Sequence, residues 1–135
     1  MLDRECIQSR GFRNVVRDGE TVGFQVAIRL TYYRGVWLSQ LRPATVIVDG
    51  TAYTGEDVTW TVAGITCTQQ ELTTHGDLNW DPLVPAMLTV RNPGGLGQGI
   101  HDIEVKFTYS ASYMPPDMDL LFGNLAVNRR SLVLV

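Results

Sequence analysis

Polar and apolar residues alternate along much of this chain with a period of two, the repeat of a strand that buries one face and wets the other. The longest run is Ile103 to Tyr113, where Ile103, Val105, Phe107, Tyr109, Ala111 and Tyr113 alternate with Glu104, Lys106, Thr108, Ser110 and Ser112. Phe24, Val26, Ile28 and Leu30 repeat the pattern within Gly23–Leu30, and Val58, Trp60 and Val62 repeat it within Val58–Val62. Further strands are expected at Gly11–Arg17, Ala44–Val48, Ile65–Thr68, Ala86–Arg91 and Ser131–Val135. Between them stand the hairpin-forming pairs Asp18-Gly19 and Asp49-Gly50, and Gly64 turns the chain toward Ile65. No segment carries a convincing helical period; Gln69–His75 and Asp119–Ala126 allow one helical turn each. About eight strands with Gly, Pro and Asp turns predict an all-β fold. Because the connections vary in length, a two-sheet antiparallel β-sandwich is expected rather than an up-and-down barrel.

The 135 residues suffice for one sandwich domain spanning 1–135, with a core of its own. Apolar content of 44% and charged content of 19% are ordinary for a globular chain. A net charge of −3 argues against nucleic acid, which demands a clustered positive surface. No run approaches the length of a membrane-spanning helix. The first residues, MLDRECIQSRG, are charged and do not read as a secretory signal. Cys6 and Cys67 are too few and too far apart for a disulfide framework, so they are expected as reduced, buried thiols in a cytoplasmic protein.

Three long connections interrupt the strands, and long loops on a β-scaffold are where binding residues gather. Thr31–Pro43 holds Tyr32, Tyr33, Arg34 and Trp37. Gln69–Pro85 holds His75, Trp80 and Asp81, and Met114–Arg130 is rich in Met, Pro and apolar residues. Gly94-Gly95-Leu96-Gly97-Gln98-Gly99 superficially suits a phosphate loop, but a strand follows where a helix N-terminus is needed, so the glycines are expected to serve turn geometry. His75, Asp77 and Asp81 share one loop without metal-ligand spacing, and His101 is expected to cap a turn or bond backbone. Asp117 and Asp119 read as a solvated loop pair rather than a calcium site. No Ser/His/Asp or Cys/His arrangement is legible, and a working pair of carboxylates, whose separation is spatial, stays open; no catalytic residue and no metal ligand is assigned to the chain.

Several segments together resemble the small (beta) subunit of bacterial C-glycoside deglycosidases. They are Ile7–Val16 (IQSRGFRNVV), Gly23–Val36 (GFQVAIRLTYYRGV), Val46–Gly50 (VIVDG), Leu88–Gly95 (LTVRNPGG), Gly99–His101 and Tyr113-Met114-Pro115. The chain departs from the pattern mainly at Leu120–Asn128. The resemblance implies a β-sandwich paired with a larger alpha subunit, a TIM barrel similar to sugar-phosphate isomerases that carries a divalent metal, expected to be manganese. It implies that the heteromer cleaves the carbon–carbon bond between sugar and aglycone in 3-oxo-C-glycosides by elimination. Tyr32, Tyr33, Arg34, Arg91, Tyr113, Met114 and Pro115 are then the expected contacts with the alpha subunit or substrate. The alternative is a non-catalytic module that binds carbohydrate or protein through Tyr32, Tyr33, Trp37 and Trp80.

Overall fold

The computed structural model describes residues 4–30, 35–109 and 126–135. Among these, eleven strands form: β1 Arg13–Arg17, β2 Glu20–Ile28, β3 Val36–Trp37, β4 Thr45–Val48, β5 Thr51–Tyr53, β6 Val58–Val62, β7 Ile65–Thr68, β8 Asn79–Trp80, β9 Ala86–Arg91, β10 Gly99–Phe107 and β11 Ala126–Leu134. A five-stranded sheet runs β1-β2-β9-β6-β7, a four-stranded sheet runs β11-β10-β4-β5, and β3 pairs with β8 as a small ribbon. Every pairing is antiparallel. The two large sheets pack face to face around one hydrophobic core, which makes the molecule a β-sandwich.

Alternation builds that core. Phe24, Val26 and Ile28 of β2, Leu88 and Val90 of β9, and Val58, Trp60 and Val62 of β6 turn inward from one sheet. Val46 and Val48 of β4 and Ile103, Val105 and Phe107 of β10 meet them from the other. Phe24 lies edge-on to Tyr53 with ring centroids 5.4 Å apart. Trp60 is 5.7 Å from Trp80 and 6.0 Å from Phe107, so three large rings interlock where the ribbon meets the sandwich. Truncating a ring so placed costs about 3–5 kcal/mol in lost burial and residual cavity.

One polar side chain sits inside this apolar packing. Gln69, only 5% exposed, follows β7 and turns its amide between the sheets. Its Oε1 accepts from the Ala44 amide at 2.7 Å and from the Trp60 indole Nε1 at 2.9 Å. Its Nε2 donates to the Ala44 carbonyl at 2.9 Å. The one helical turn expected at Gln69–His75 forms as a 3-10 turn over Glu71–Thr74.

The strands differ from expectation mainly at their ends. β10 begins four residues before the alternating run, because His101 occupies an inner-face position that an apolar reading passes over. β10 ends at Phe107; Tyr109 makes an isolated bridge to Leu41, and 110–113 lie outside the described residues. β11 begins five residues before the expected Ser131, since Asn128 and Arg130 stand at its inward positions ahead of buried Leu132 and Leu134. The helical turn expected at Asp119–Ala126 falls largely outside the described residues.

Three hairpins turn through two consecutive positive-φ residues, the geometry that matches strand twist. They are Asp18-Gly19 (51° and 79°), Asp49-Gly50 (50° and 88°) and Ala63-Gly64 (52° and 83°). Asp tolerates this region and Ala does not, because the alanine methyl crowds the backbone without a compensating local hydrogen bond. Ala63→Asn is therefore expected to stabilise the fold by roughly 0.5–1 kcal/mol, read as a rise of a few degrees in Tm. A fall in Tm would contradict this account of the turn.

Candidate functional site

The two connections that hold most of the expected contact residues have one described end each beside the stretch Gly35–Arg42. Residues 31–34 rejoin the described chain at Gly35, which leads into β3 and the 3-10 turn Leu38–Gln40. At the end of that turn Leu41 bridges Tyr109, and Arg42 N donates to the Thr108 carbonyl at 2.9 Å. Tyr109 is where 110–125 depart, and they return at Ala126, opposite Phe107. One end of each segment thus meets the short stretch from Gly35 to Arg42: Gly35 itself, and Tyr109 through its bridge to Leu41. Tyr32, Tyr33, Arg34, Tyr113, Met114, Pro115, Asp117 and Asp119 themselves lie outside the described residues.

Gly35 is the glycine of the Tyr-Tyr-Arg-Gly segment, and it packs closely on the ribbon, with the Trp80 carbonyl 3.0 Å from where a Cβ would stand. A Cβ there would stand 2.1 Å from Asn79 Oδ1. Beside this stem the ribbon exposes Trp37, which pairs with Asn79, and the following turn exposes Leu83 and Val84. Trp80 is fully buried, with its indole Nε1 donating to the Val84 carbonyl at 2.8 Å. It is therefore a core residue, and a carbohydrate platform built on Trp80 is ruled out by its burial. On the other side of Leu41 and Arg42 lies a mainly apolar groove of about 550 Å³, lined further by Pro43, Gln70 and Thr73. Its size lies within the range of pockets that take small organic ligands.

Arg91 is elsewhere. It pairs with Gly23, while Ala86 at the other end of β9 pairs with Ile28. Five residues of strand separate the two ends, about 17 Å at ~3.4 Å each. Arg91 Nη2 lies 3.2 Å from Asp57 Oδ1 on an exposed face, above a shallow groove that includes Thr59 and Thr89. The structure therefore does not bring Arg91 together with the stems of the aromatic loops.

The glycine turn after Arg91 is held by protein acceptors. Gly94 N donates to Thr21 O, Gly95 N to Asn92 O, and Leu96 N to Asn14 Oδ1 at 2.9 Å. Asn14 Nδ2 returns a bond to Leu96 O at 2.9 Å, so one side chain imitates a strand partner. Gly95 has φ of +67°, and a Cβ on it would come within 2.5 Å of that same Asn14 Oδ1. Amides spent in this way have no phosphate to cradle. The Arg13-Asn14-Val15 and Asn92-Pro93-Gly94-Gly95 segments, far apart in sequence, are thus one structural unit. Asn14 was not singled out by sequence reasoning, although its segment was.

His101 closes the turn. Its Nδ1 is 2.6 Å from Asp49 Oδ2 and its Nε2 is 2.6 Å from the Gly97 carbonyl. Both acceptors are satisfied only when both ring nitrogens carry hydrogen, so these surroundings favour the imidazolium. The bond to Gly97, then the Asp49 carboxylate, raise its pKa above the ordinary 6.5. Asp49 is lowered in turn, first by the Asp102 backbone N–H and then by His101. The expectation that His101 bonds backbone holds, and the Asp49 partner across the β4–β5 hairpin is added. His75 Nδ1 lies 3.9 Å from Asp77, while Asp81 Oδ1 accepts from Leu83 N in its own turn. Among the described residues no three His, Cys, Asp or Glu side chains gather as a ligand set. Cys6 and Cys67 are free and buried; burial pushes Cys6 up to about 12 and raises Cys67, which leaves both thiols unreactive. No helix among the described residues is long and apolar enough to cross a membrane.

The fold and this arrangement define an antiparallel β-sandwich whose most distinctive described sequence segments fix backbone geometry. The model of the C-glycoside deglycosidase beta subunit family matches residues 2–113. The C-glycoside deglycosidase beta subunit of Eubacterium cellulosolvens is 46% identical over 116 residues, covering 85% of this chain and 79% of that protein. The chain belongs to the C-glycoside deglycosidase beta subunit family.

A raised histidine pKa stabilises the fold fully below the unfolded value of 6.5, and the contribution is lost as pH rises through the folded value. The wild-type protein is expected to lose Tm over that interval, whereas His101→Asn, which keeps polarity but cannot titrate, loses less. The lowered Asp49 contributes above 3.8 and its share is lost as pH falls through its depressed folded value. Parallel Tm profiles for wild type and His101→Asn between neutral and alkaline pH would show that the imidazolium does not hold the turn.

Proposed function

We propose that this chain is the non-metal subunit of a heteromeric lyase that cleaves 3-oxo-C-glycosides, working with a metal-dependent TIM-barrel alpha subunit. What carries the reading is family membership across residues 2–113. The chemistry is an elimination. The 3-ketone acidifies the proton on carbon 2, and a base takes that proton. The electron pair left on carbon 2 forms a double bond to carbon 1 as the bond from carbon 1 to the aglycone breaks. The pair from the broken bond goes to the aglycone ring carbon, which takes up a proton, and a phenolic ring can accept it. The products are an unsaturated 3-oxo sugar and the free aglycone. The base, the acid and the divalent ion, manganese in this reading, belong to the alpha subunit.

The role of this chain is to support that subunit and to wall the aglycone end of its pocket. The end where 31–34 and 110–125 each meet the stretch Gly35–Arg42 suits the contact best. Tyr32, Tyr33, Arg34, Tyr113, Met114 and Pro115 all belong to connections with one end there, and Trp37, Leu83 and Val84 add exposed apolar surface beside Gly35. Large aromatic and apolar side chains of this kind dominate binding energy at buried interfaces. Arg91, tied to Asp57 at the far end of β9, is given no part in that contact.

Co-expression with the sugar-phosphate-isomerase-like subunit of the same organism, followed by assay on an oxidised C-glycoside, tests the reading. Turnover is expected from the complex, from neither chain alone, and not after chelation. Replacing Tyr33 and Arg34 together by Ala is expected to lower turnover or complex formation at least tenfold while leaving the Tm of the lone chain unchanged. Chelator-insensitive turnover by the lone chain would sink the proposal.

A further inference from the structure

The four sheet edges of the sandwich are not alike. β7 and β5 are short, with four and three residues. β1 has five residues, and its pairing with β2 shifts between Val15 and Val16. Brevity and bulges of this kind are how proteins keep a free edge from pairing with another chain. β11 has neither. It runs nine residues, Ala126–Leu134, in unbroken register with β10 from Phe107 to Gly99, without Pro or Gly. Among the described residues no strand pairs with its outer side. Its two charged residues are drawn back from the edge as well. Arg129 forms an ion pair with Asp102 of β10, and Arg130 Nη1 donates to the Ile7 carbonyl at 2.8 Å.

The outward face of this strand is unusually apolar for the solvent side of a sheet. Val127 is 53%, Val133 60% and Val135 101% exposed, and Ile100, the partner of Val133 on β10, is 75% exposed. The pattern fits a copy of itself. If two β11 strands run antiparallel about a two-fold axis through Ser131, the stretch Val127–Val135 pairs along its whole length. Val127 then faces the second copy's Val135, Ser131 faces its own image, and Arg129 faces Val133. An axis through Arg130 or Arg129 would instead set guanidinium against guanidinium. Pairing over nine residues supplies on the order of eight backbone hydrogen bonds, and it removes the aliphatic ends of the strand from water on both copies.

We propose that β11 is a self-association edge, where two copies of this chain join their four-stranded sheets into one continuous sheet about a two-fold axis at Ser131. The contact is isologous, so it closes at two copies and does not propagate. It starts one residue past Ala126, where 110–125 rejoin the sandwich, and runs from there along β10 toward Gly99; it does not depend on the assignment of the alpha subunit.

Ser131→Cys tests the geometry. A residue on the axis meets its own image at cross-strand distance, within reach of a disulfide. Cys6 and Cys67 are buried and do not compete. Under mild oxidation Ser131→Cys is expected to form a covalent dimer quickly. Val127→Cys, which lies about 27 Å from its image at ~3.4 Å per residue, is expected to do so at least tenfold more slowly. Light scattering of the unmodified chain should give twice the 15.0 kDa of one copy. The same cysteine variants are compared in the chain alone and in the chain co-expressed with the alpha subunit. Equal cross-linking rates for the two variants, or a single-copy mass together with no Ser131→Cys dimer in either preparation, overturn the proposal. So does protection of β11 amides from hydrogen exchange only when the alpha subunit is present, which would give the edge to that subunit.

Discussion

The amide of Gln69 is the constraint on which the sandwich turns. It reaches from the end of β7 to the backbone of Ala44, just before β4, and to the indole of Trp60 on β6. It therefore joins the two sheets and orients one of the three rings that fill the space between them. An amide is well suited to this place, because one oxygen can serve two donors while the nitrogen serves a carbonyl. The gain per bond is modest, but each partner is buried, and a buried donor or acceptor left alone costs about 1–3 kcal/mol. Losing the amide would strand the Ala44 N–H and C=O and the Trp60 N–H together. The interaction matters less for what it adds than for what its absence would leave unsatisfied.

The same logic explains why a family signature can be specific without being catalytic. Asn14 and Gly95 lie in two of the segments that mark the family resemblance, and they meet because the asparagine amide needs the space that a glycine leaves open. Gly35 stands in a third such segment, pressed against Asn79. These residues hold loops in fixed positions at both ends of the sandwich. A subunit that works by presenting a surface to another protein would place its strictest requirements there, in the backbone geometry of its loops.

Strands were legible in the sequence wherever inward positions were apolar. β6 and β9, and the later part of β10, follow the alternation residue by residue, and β2 does so at its inward positions. The reading stopped where a polar side chain faced inward with a partner of its own. His101 hid the start of β10 because its charge is matched by Asp49 and Gly97, and Arg130 hid the start of β11 because its guanidinium is matched by the Ile7 carbonyl. Gln69 was invisible as a core residue for the same reason. The two-residue strands β3 and β8 carry no period to read. At the candidate site, the loops could be picked out by length and aromatic content. The remoteness of Arg91 could not, because it follows from strand register, which only the folded pairing reveals.

The anchoring of Tyr109 to Leu41 and of Ala126 to Phe107 has a further meaning for how such a chain can change over time. Both ends of the stretch between them are fastened to the sandwich by neighbours that do not depend on what lies between. Lengthening a connection whose ends are already fixed is cheap, about 0.6 kcal/mol for each doubling. This is a port at which evolution, or an engineer, can splice in new sequence and alter what the sandwich presents without repacking what holds it together.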